Sequence, residues 1–227
     1  MKKEVLRLTN EVVTLLRNGI FETLYMTLVS TAIAYFIGIP LGVLLYTTGE
    51  KGTGHNTLVN KTLGIIVNLI RSIPFIILLV AILPFTRLVV GTTIGSTATI
   101  VPLIVAAAPF VARMVESSLN EVDSGVIEAA VSIGSNPLQI IIKVLLPEAK
   151  PSLIVGSTIA ITTILGYSTM AGFVGGGGLG AIAINYGYYR YKKDIMLITV
   201  VLLVIIVQIF QEVGTKLANK TDKRKKA

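Results

Sequence analysis

Apolar positions in this chain fall in long continuous blocks, with little of the two-residue alternation of a half-buried strand. Five blocks stand out, at about 20–46, 63–85, 94–112, 152–174 and 195–213. At 1.5 Å rise per residue, roughly 18 to 20 apolar residues cross a hydrocarbon core about 30 Å thick. Lipid offers no partner to an open backbone, so such blocks are read as helices. The pattern predicts an all-α integral membrane protein with five transmembrane helices. Ahead of the first block, Val5, Leu8, Val12, Leu15 and Leu16 recur at helical spacing opposite Lys3, Arg7, Asn10, Glu11, Thr14 and Asn18. This predicts an amphipathic helix over residues 1–18, lying in the membrane interface. Lys2 and Lys3 are not followed by a compact apolar core and a small-residue cleavage site, so no cleaved signal peptide is read.

The longest polar interruption, at about 123–147, separates the third and fourth blocks. It predicts two short helices. The first runs from Asp123 or Ser124 to Ile133 and is closed by Gly134. The second is capped by Asn136, with Pro137 as its first residue and Gln139 as its third, and Pro147 is expected to end it. Ile140, Ile141, Val144 and Leu145 are too apolar for a helix that only faces water. Some should bury against the spans and the rest should meet a partner.

Within the blocks, Gly38, Pro40 and Gly42 form a small-x-x-x-small pattern around a proline, and the third block carries Pro102, Ala106, Ala107, Ala108 and Pro109. Small residues allow close helix approach. In the fourth block Thr158, Thr162, Gly166, Thr169 and Phe173 fall near one helical face with Met170 adjoining. That face suits either a translocation path, with Met170 as a constriction, or inert packing in which the hydroxyls bond back to their own helix. Arg71 lies about 12 Å into the second block at helical rise, and Pro74 follows it. A structural role and a transport role both fit an arginine beside carbonyls loosened by a proline. Residues 172–180 hold six glycines, and Gly175, Gly177 and Gly180 spell G-x-G-x-x-G. A dinucleotide fingerprint also needs a preceding strand and a later ribose-binding acid, so the glycines are read as a sharp turn or hinge. Tyr186, Tyr188, Tyr189 and Tyr191 with Arg190, Lys192 and Lys193 resemble an interfacial belt.

Composition narrows the function. Hydrophobic residues make up 53% of the 227 and charged residues 14%, a balance that points to lipid. The net charge of +8 owes six of its twenty basic residues to the last twelve positions, which reads as a tail beside anionic lipid and no nucleic-acid site. With that tail in the cytoplasm, eleven basic residues lie inside, Arg113 among them, against eight outside, which orients the N-terminus outside. There is no cysteine, and the single His55 lies in a loop. No phosphate-binding G-x-x-x-x-G-K-[ST], no H-E-x-x-H and no paired carboxylates suited to acid-base chemistry occur, so the chain reads as neither an ATPase nor an enzyme, with no metal and no cofactor of its own. A passive channel or membrane anchor remains an alternative at this level.

The polar segment also carries Glu128-Ala129-Ala130, Gly134, and then Val144, Leu146 and Pro147, in the order E-A-A-x-x-x-G, nine residues, aliphatic, any residue, L-P. This resembles the cytoplasmic signature of permease subunits of binding-protein-dependent ABC importers, with Val144 where isoleucine is more usual. Residues 68–95, 107–116 and 166–180 are similar to the methionine importer permeases of that family in particular. The resemblance covers the five-span permease domain at 19–213, and the interfacial helix at 1–18 and the basic cytoplasmic tail at 214–227 lie outside it. It implies a homodimer in the cell membrane, bound to two copies of an ATP-binding subunit that holds ATP and Mg. An extracytoplasmic substrate-binding lipoprotein would deliver methionine, another small amino acid or a methionine derivative. Glu128, Ala129, Ala130, Gly134, Val144, Leu146 and Pro147 would then form the mechanical joint with the ATPase.

Overall fold

The computed structural model describes residues 2–50, 52 and 54–221, with side-chain environments from residue 10 onward. Helices are the regular structure among them: α1 (Lys2–Thr48), α2 (Thr57–Ser72), α3 (Phe75–Ala81), α4 (Leu83–Val90), α5 (Ser96–Asn120), α6 (Ser124–Ser132), α7 (Pro137–Ile140), α8 (Leu146–Glu148), α9 (Lys150–Met170), α10 (Gly178–Ile182) and α11 (Lys193–Thr221). Among the described residues, four segments are long and apolar enough to cross a membrane, namely Asn10–Thr48, Ser96–Asn120, Lys150–Val174 and Lys193–Thr221. A fifth span exists only if α2 and α3 are taken together across a bend of 100°.

That bend corrects the expectation of one second span over 63–85. Ile73 is extended, with φ −80° and ψ 124°, and Pro74 sits as the cap of α3. A proline ring disfavours helical geometry in the residue before it and brings no N–H, so α2 stops and a new helix starts in another direction. The interfacial helix at 1–18 likewise does not end where its amphipathic pattern ends. Backbone helix is continuous from Lys2 to Thr48, because the junction holds a single Gly19, whose cost of about 1 kcal/mol does not stop a helix. Arg113, counted from sequence among the inside loop charges, lies within α5. Of the tail, Lys223, Arg224, Lys225 and Lys226 lie outside the described residues.

The chain divides into two compact units. One comprises Met1–Thr31, Pro74–Ile104 and Ile161–Ile209. Met26, Leu79, Leu103, Ile164 and Leu179 are fully buried within it, and Phe75 stacks on Tyr167 with ring centroids 4.5 Å apart. The other comprises Ala32–Ile73, Val105–Ala160 and Phe210–Ala227. Here α1 lies tightly on α5: a Cβ at Gly38 would stand 2.6 Å from the Val111 side chain, and one at Gly42 2.5 Å from the Ala112 carbonyl oxygen. Lipid is as apolar as leucine, so helices associate in it by such close van der Waals contact. Leu45, Val67 and Ala112 form a buried cluster beside it. Polar ties complete this unit. Asn60 Nδ2 donates to the Leu45 carbonyl at 2.7 Å, and Arg113 bonds Glu116 at 2.7 Å and the Gly64 carbonyl at 3.2 Å.

Candidate functional site

The polar segment folds as a helical hairpin whose turns are satisfied by its own residues. Asp123 Oδ1 accepts the Gly125 N–H at 2.7 Å and opens α6. At the far end Gly134 takes φ +82°, its N–H donates to the Val131 carbonyl at 2.9 Å, and the Ser135 N–H donates to the Ala130 carbonyl at 3.1 Å. This pair of bonds is a Schellman stop, and the positive φ selects glycine. Asn136 then accepts the Gln139 N–H at 2.9 Å while Gln139 Oε1 accepts the Asn136 N–H at 3.0 Å, the reciprocal capping box read from the sequence.

Pro147 does not end the second helix, contrary to expectation. The chain passes from α7 through a π turn at Ile141–Leu145 into α8, which contains Pro147. In a π turn the donor reaches back five residues, as the Leu146 N–H does to the Ile141 carbonyl. Widening the helix there gives the proline ring room.

The hairpin divides its apolar residues between two surroundings. Ile140 and Leu145 are buried, Ile141 and Val144 half-buried, and Ala130 is buried. Glu128, Ala129, Gly134 and Pro147 are exposed, with Leu146 intermediate. Ile133 is 83% exposed and Leu138 64%, with Val131 and Ile142 also out. Sequence reading passed over these four, although an isoleucine directly before the helix-stopping glycine was the available signal.

On the predicted face of α9, Gly166, Met170 and, just past its end, Phe173 have an open outlook, while Val155 and Ile159 are exposed elsewhere on the helix. A Cβ at Gly166 would meet nothing within 4 Å, and Met170 and Phe173 are 46% and 58% exposed. The hydroxyls on this face are partly committed: Thr169 donates to the Gly166 carbonyl at 2.6 Å and Thr158 to the Ile154 carbonyl at 3.0 Å. Thr162 is half-exposed. Thr158 also packs against α11, where a Cβ at Gly214 would overlap its hydroxyl.

The glycine-rich turn after α9 is held from several sides. The Glu22 carboxylate accepts the Gly178 N–H at 2.6 Å and the Thr23 hydroxyl accepts the Leu179 N–H at 2.8 Å. The Gly95 N–H donates to the Gly175 carbonyl at 2.9 Å, and the Thr99 hydroxyl to the Gly176 carbonyl at 3.2 Å. Glu22 and Thr23 were not singled out from sequence, although a lone acid inside an apolar block was a signal. Arg71, in the last turn of α2, stands 6.0 Å from the centre of the Phe110 ring. Pro74 is exposed. Arg71, Arg113, Met114, Ser117, Glu121 and Ile159 are among the residues lining a cavity of about 300 Å³.

Comparison with known proteins places this geometry. A chain of Vibrio cholerae serotype O1, named probable D-methionine transport system permease protein MetI, is 52% identical over 92% of this chain and 93% of its own. The D-methionine transport system permease protein MetI of Escherichia coli K12 is 54% identical over 70% of this chain and 73% of its own. Among solved structures, the MetNI methionine ABC transporter in inward-facing conformation has a chain 50% identical to this one, with a TM-score of 0.92 over 93% of this chain and 98% of that chain. An amino acid ABC transporter solved with histidines shares the fold at a TM-score of 0.76 and 17% identity. The family described as binding-protein-dependent transport system inner membrane component matches residues 38–216. Matched over most of its length, the chain is a member of that family of multi-pass membrane permeases.

Proposed function

We propose that this chain is the permease subunit of an ATP-driven importer and that its cargo is methionine. The observation that carries the class is the hairpin at 123–147: the polar groups at its turns are satisfied internally, yet it leaves Ile133, Leu138, Val131 and Ile142 bare to water. An aqueous segment with such a surface fits the groove of a soluble subunit. The cargo reading is supported by relatives named for D-methionine transport and by the likeness to a methionine transporter structure.

In this reading two copies of the chain form the path and two ATP-binding subunits dock on their hairpins. An extracytoplasmic lipoprotein delivers the amino acid. ATP and Mg belong to the partner, and this chain is a transport component with no catalytic residue. The N-terminus faces outward and the basic tail at 214–227 faces the cytoplasm. Residues 1–18 remain interfacial in character although their helix runs on into the permease domain at 19–213. Small Ala129, Ala130 and Gly134 let the partner approach closely, Glu128 offers a carboxylate to its basic or backbone donors, and Val144, Leu146 and Pro147 root the hairpin. Closure of the ATPase pair moves the hairpins, and the spans rearrange to expose the path alternately to each side.

Gly166, Met170, Thr162 and Thr169 line that path. Weak hydroxyl contacts and a flexible thioether suit a small zwitterion with an apolar tail, because tight binding would hinder release. Thr158 contributes through its packing on α11, and Arg71 and Pro74 shape the bend between α2 and α3.

The test is uptake of labelled L-methionine into vesicles holding this chain with its ATPase and binding protein. Accumulation should require ATP and be blocked by D-methionine or methionine sulfoxide more than by leucine. ATP hydrolysis without methionine entry would overturn the cargo.

A further inference from the structure

The transport reading leaves unexplained why α1 carries a carboxylate inside its apolar stretch. A carboxylate in a membrane span is costly unless a donor meets it, even where the side chain is exposed on the chain's own surface, as Glu22 is. Glu22 meets one: its Oε2 lies 2.6 Å from the backbone nitrogen of Gly178, 156 residues away in the chain. Next to it, the Thr23 hydroxyl donates to the Gly19 carbonyl at 2.8 Å and accepts the Leu179 N–H at 2.8 Å. The turn they hold is built for close approach. Gly177 and Gly178 have φ +85° and +72°, and a Cβ on either would come within 2.7 Å of Glu22 or Thr23 oxygen. Its other flank is the single turn that follows α9, since a Cβ at Gly172 would lie 2.5 Å from the backbone of Gly180 and Ala181. Gly180 sits equally close on the Thr169 backbone. No side chain separates the turn from the end of α9, so the two behave as one close-packed piece.

We propose that Glu22 and Thr23 are positioning residues of the transport cycle. By fixing residues 177–179 against α1, they set where the Met170 end of α9 stands, and that end cannot swing away from α1 without breaking a charge-assisted bond. The turn is therefore a clasp that makes α1 and the end of α9 move together, where a glycine run alone would be a free hinge. This inference rests on the reading of Gly166 and Met170 as part of the path. With the clasp intact, ATPase closure is delivered to the path as one movement. With it open, the end of α9 wanders and ATP is hydrolysed without cargo.

The experiment uses the full complex in vesicles and compares Glu22→Ala with Glu22→Gln, whose amide oxygen can still accept the Gly178 N–H. In Glu22→Ala, ATP hydrolysis should persist while methionine accumulated per ATP falls about tenfold, and amide exchange at Gly178 and Leu179 should rise by about the same factor. Glu22→Gln should stay near the parent in both. If Glu22→Ala does not assemble, Thr23→Val, which removes the Leu179 acceptor together with the hydroxyl's bond to the Gly19 carbonyl in its own helix, takes the same readouts. Unchanged methionine per ATP, or unchanged exchange at Gly178 and Leu179, overturns the proposal. The path reading is checked separately. The chain has no cysteine, so Met170→Cys gives it one thiol, and a thiol unreactive at every nucleotide state refutes the path while leaving the exchange result to judge the clasp.

Discussion

The hairpin at 123–147 and the glycine turn at 172–180 both use glycines at positive φ, and they are held in opposite ways. In the hairpin each bond at the turns closes between residues no more than five apart, as from Ser135 to Ala130 or Asn136 to Gln139. The glycine turn is tied to Glu22 and Thr23 across 156 residues and from Thr99 to Gly176 across 77. A Cβ at Gly134 would meet nothing within 4 Å, whereas one at Gly180 would lie 2.4 Å from the Thr169 carbonyl oxygen. The hairpin is thus a self-supporting projection with a free surface, suited to docking. The turn is packed on several sides, with Phe173 and Gly175 left open, and is a structural lock.

Substitutions can break this contrast, and the largest effect is expected at the lock. Gly180→Val should cost about 3 kcal/mol or more, since the side chain meets backbone that cannot yield. Thermal unfolding of the purified complex measures it, and a midpoint within a degree or two of the parent would mean the packing is loose. On the hairpin, Leu138→Asp should leave unfolding unchanged and weaken ATPase association about tenfold, because it places a charge in a surface that must be desolvated on docking. Titrating the soluble partner against vesicle-borne permease checks this, and equal affinity would move the docking face elsewhere. The smallest effect is expected for Asn136→Ala, which removes one cap and costs about 1 kcal/mol locally. It should appear as faster exchange of the Gln139 amide with global stability unaltered.

The same contrast explains what the sequence made legible. Asn136, Pro137 and Gln139 announce a helix start because a capping box is written within four residues, and Gly134 announces a stop for the same reason. The spans were legible because lipid demands apolar length. Family membership, read from the Glu128 to Pro147 signature, agrees with the match over residues 38–216. Three features were not legible. Pro147 reads as a terminator, yet the preceding residues absorb it in a π turn. The bend at Ile73 and Pro74 turns one apolar block into two helices, which hydropathy alone does not register. The Glu22 contact joins residues whose proximity only the folded chain creates, so neither spacing nor composition could pair them.

The central claim is that the hairpin is a mechanical joint, and Gly134→Trp tests it most directly. An indole at this exposed position leaves the folded core untouched, strains a backbone at φ +82° and blocks the surface beside Ile133. ATP hydrolysis and labelled L-methionine uptake would be followed in the same vesicles. The account predicts that methionine accumulated per ATP falls at least about tenfold while the permease keeps the parent's unfolding midpoint. Uptake still coupled to hydrolysis at the parental ratio would contradict it.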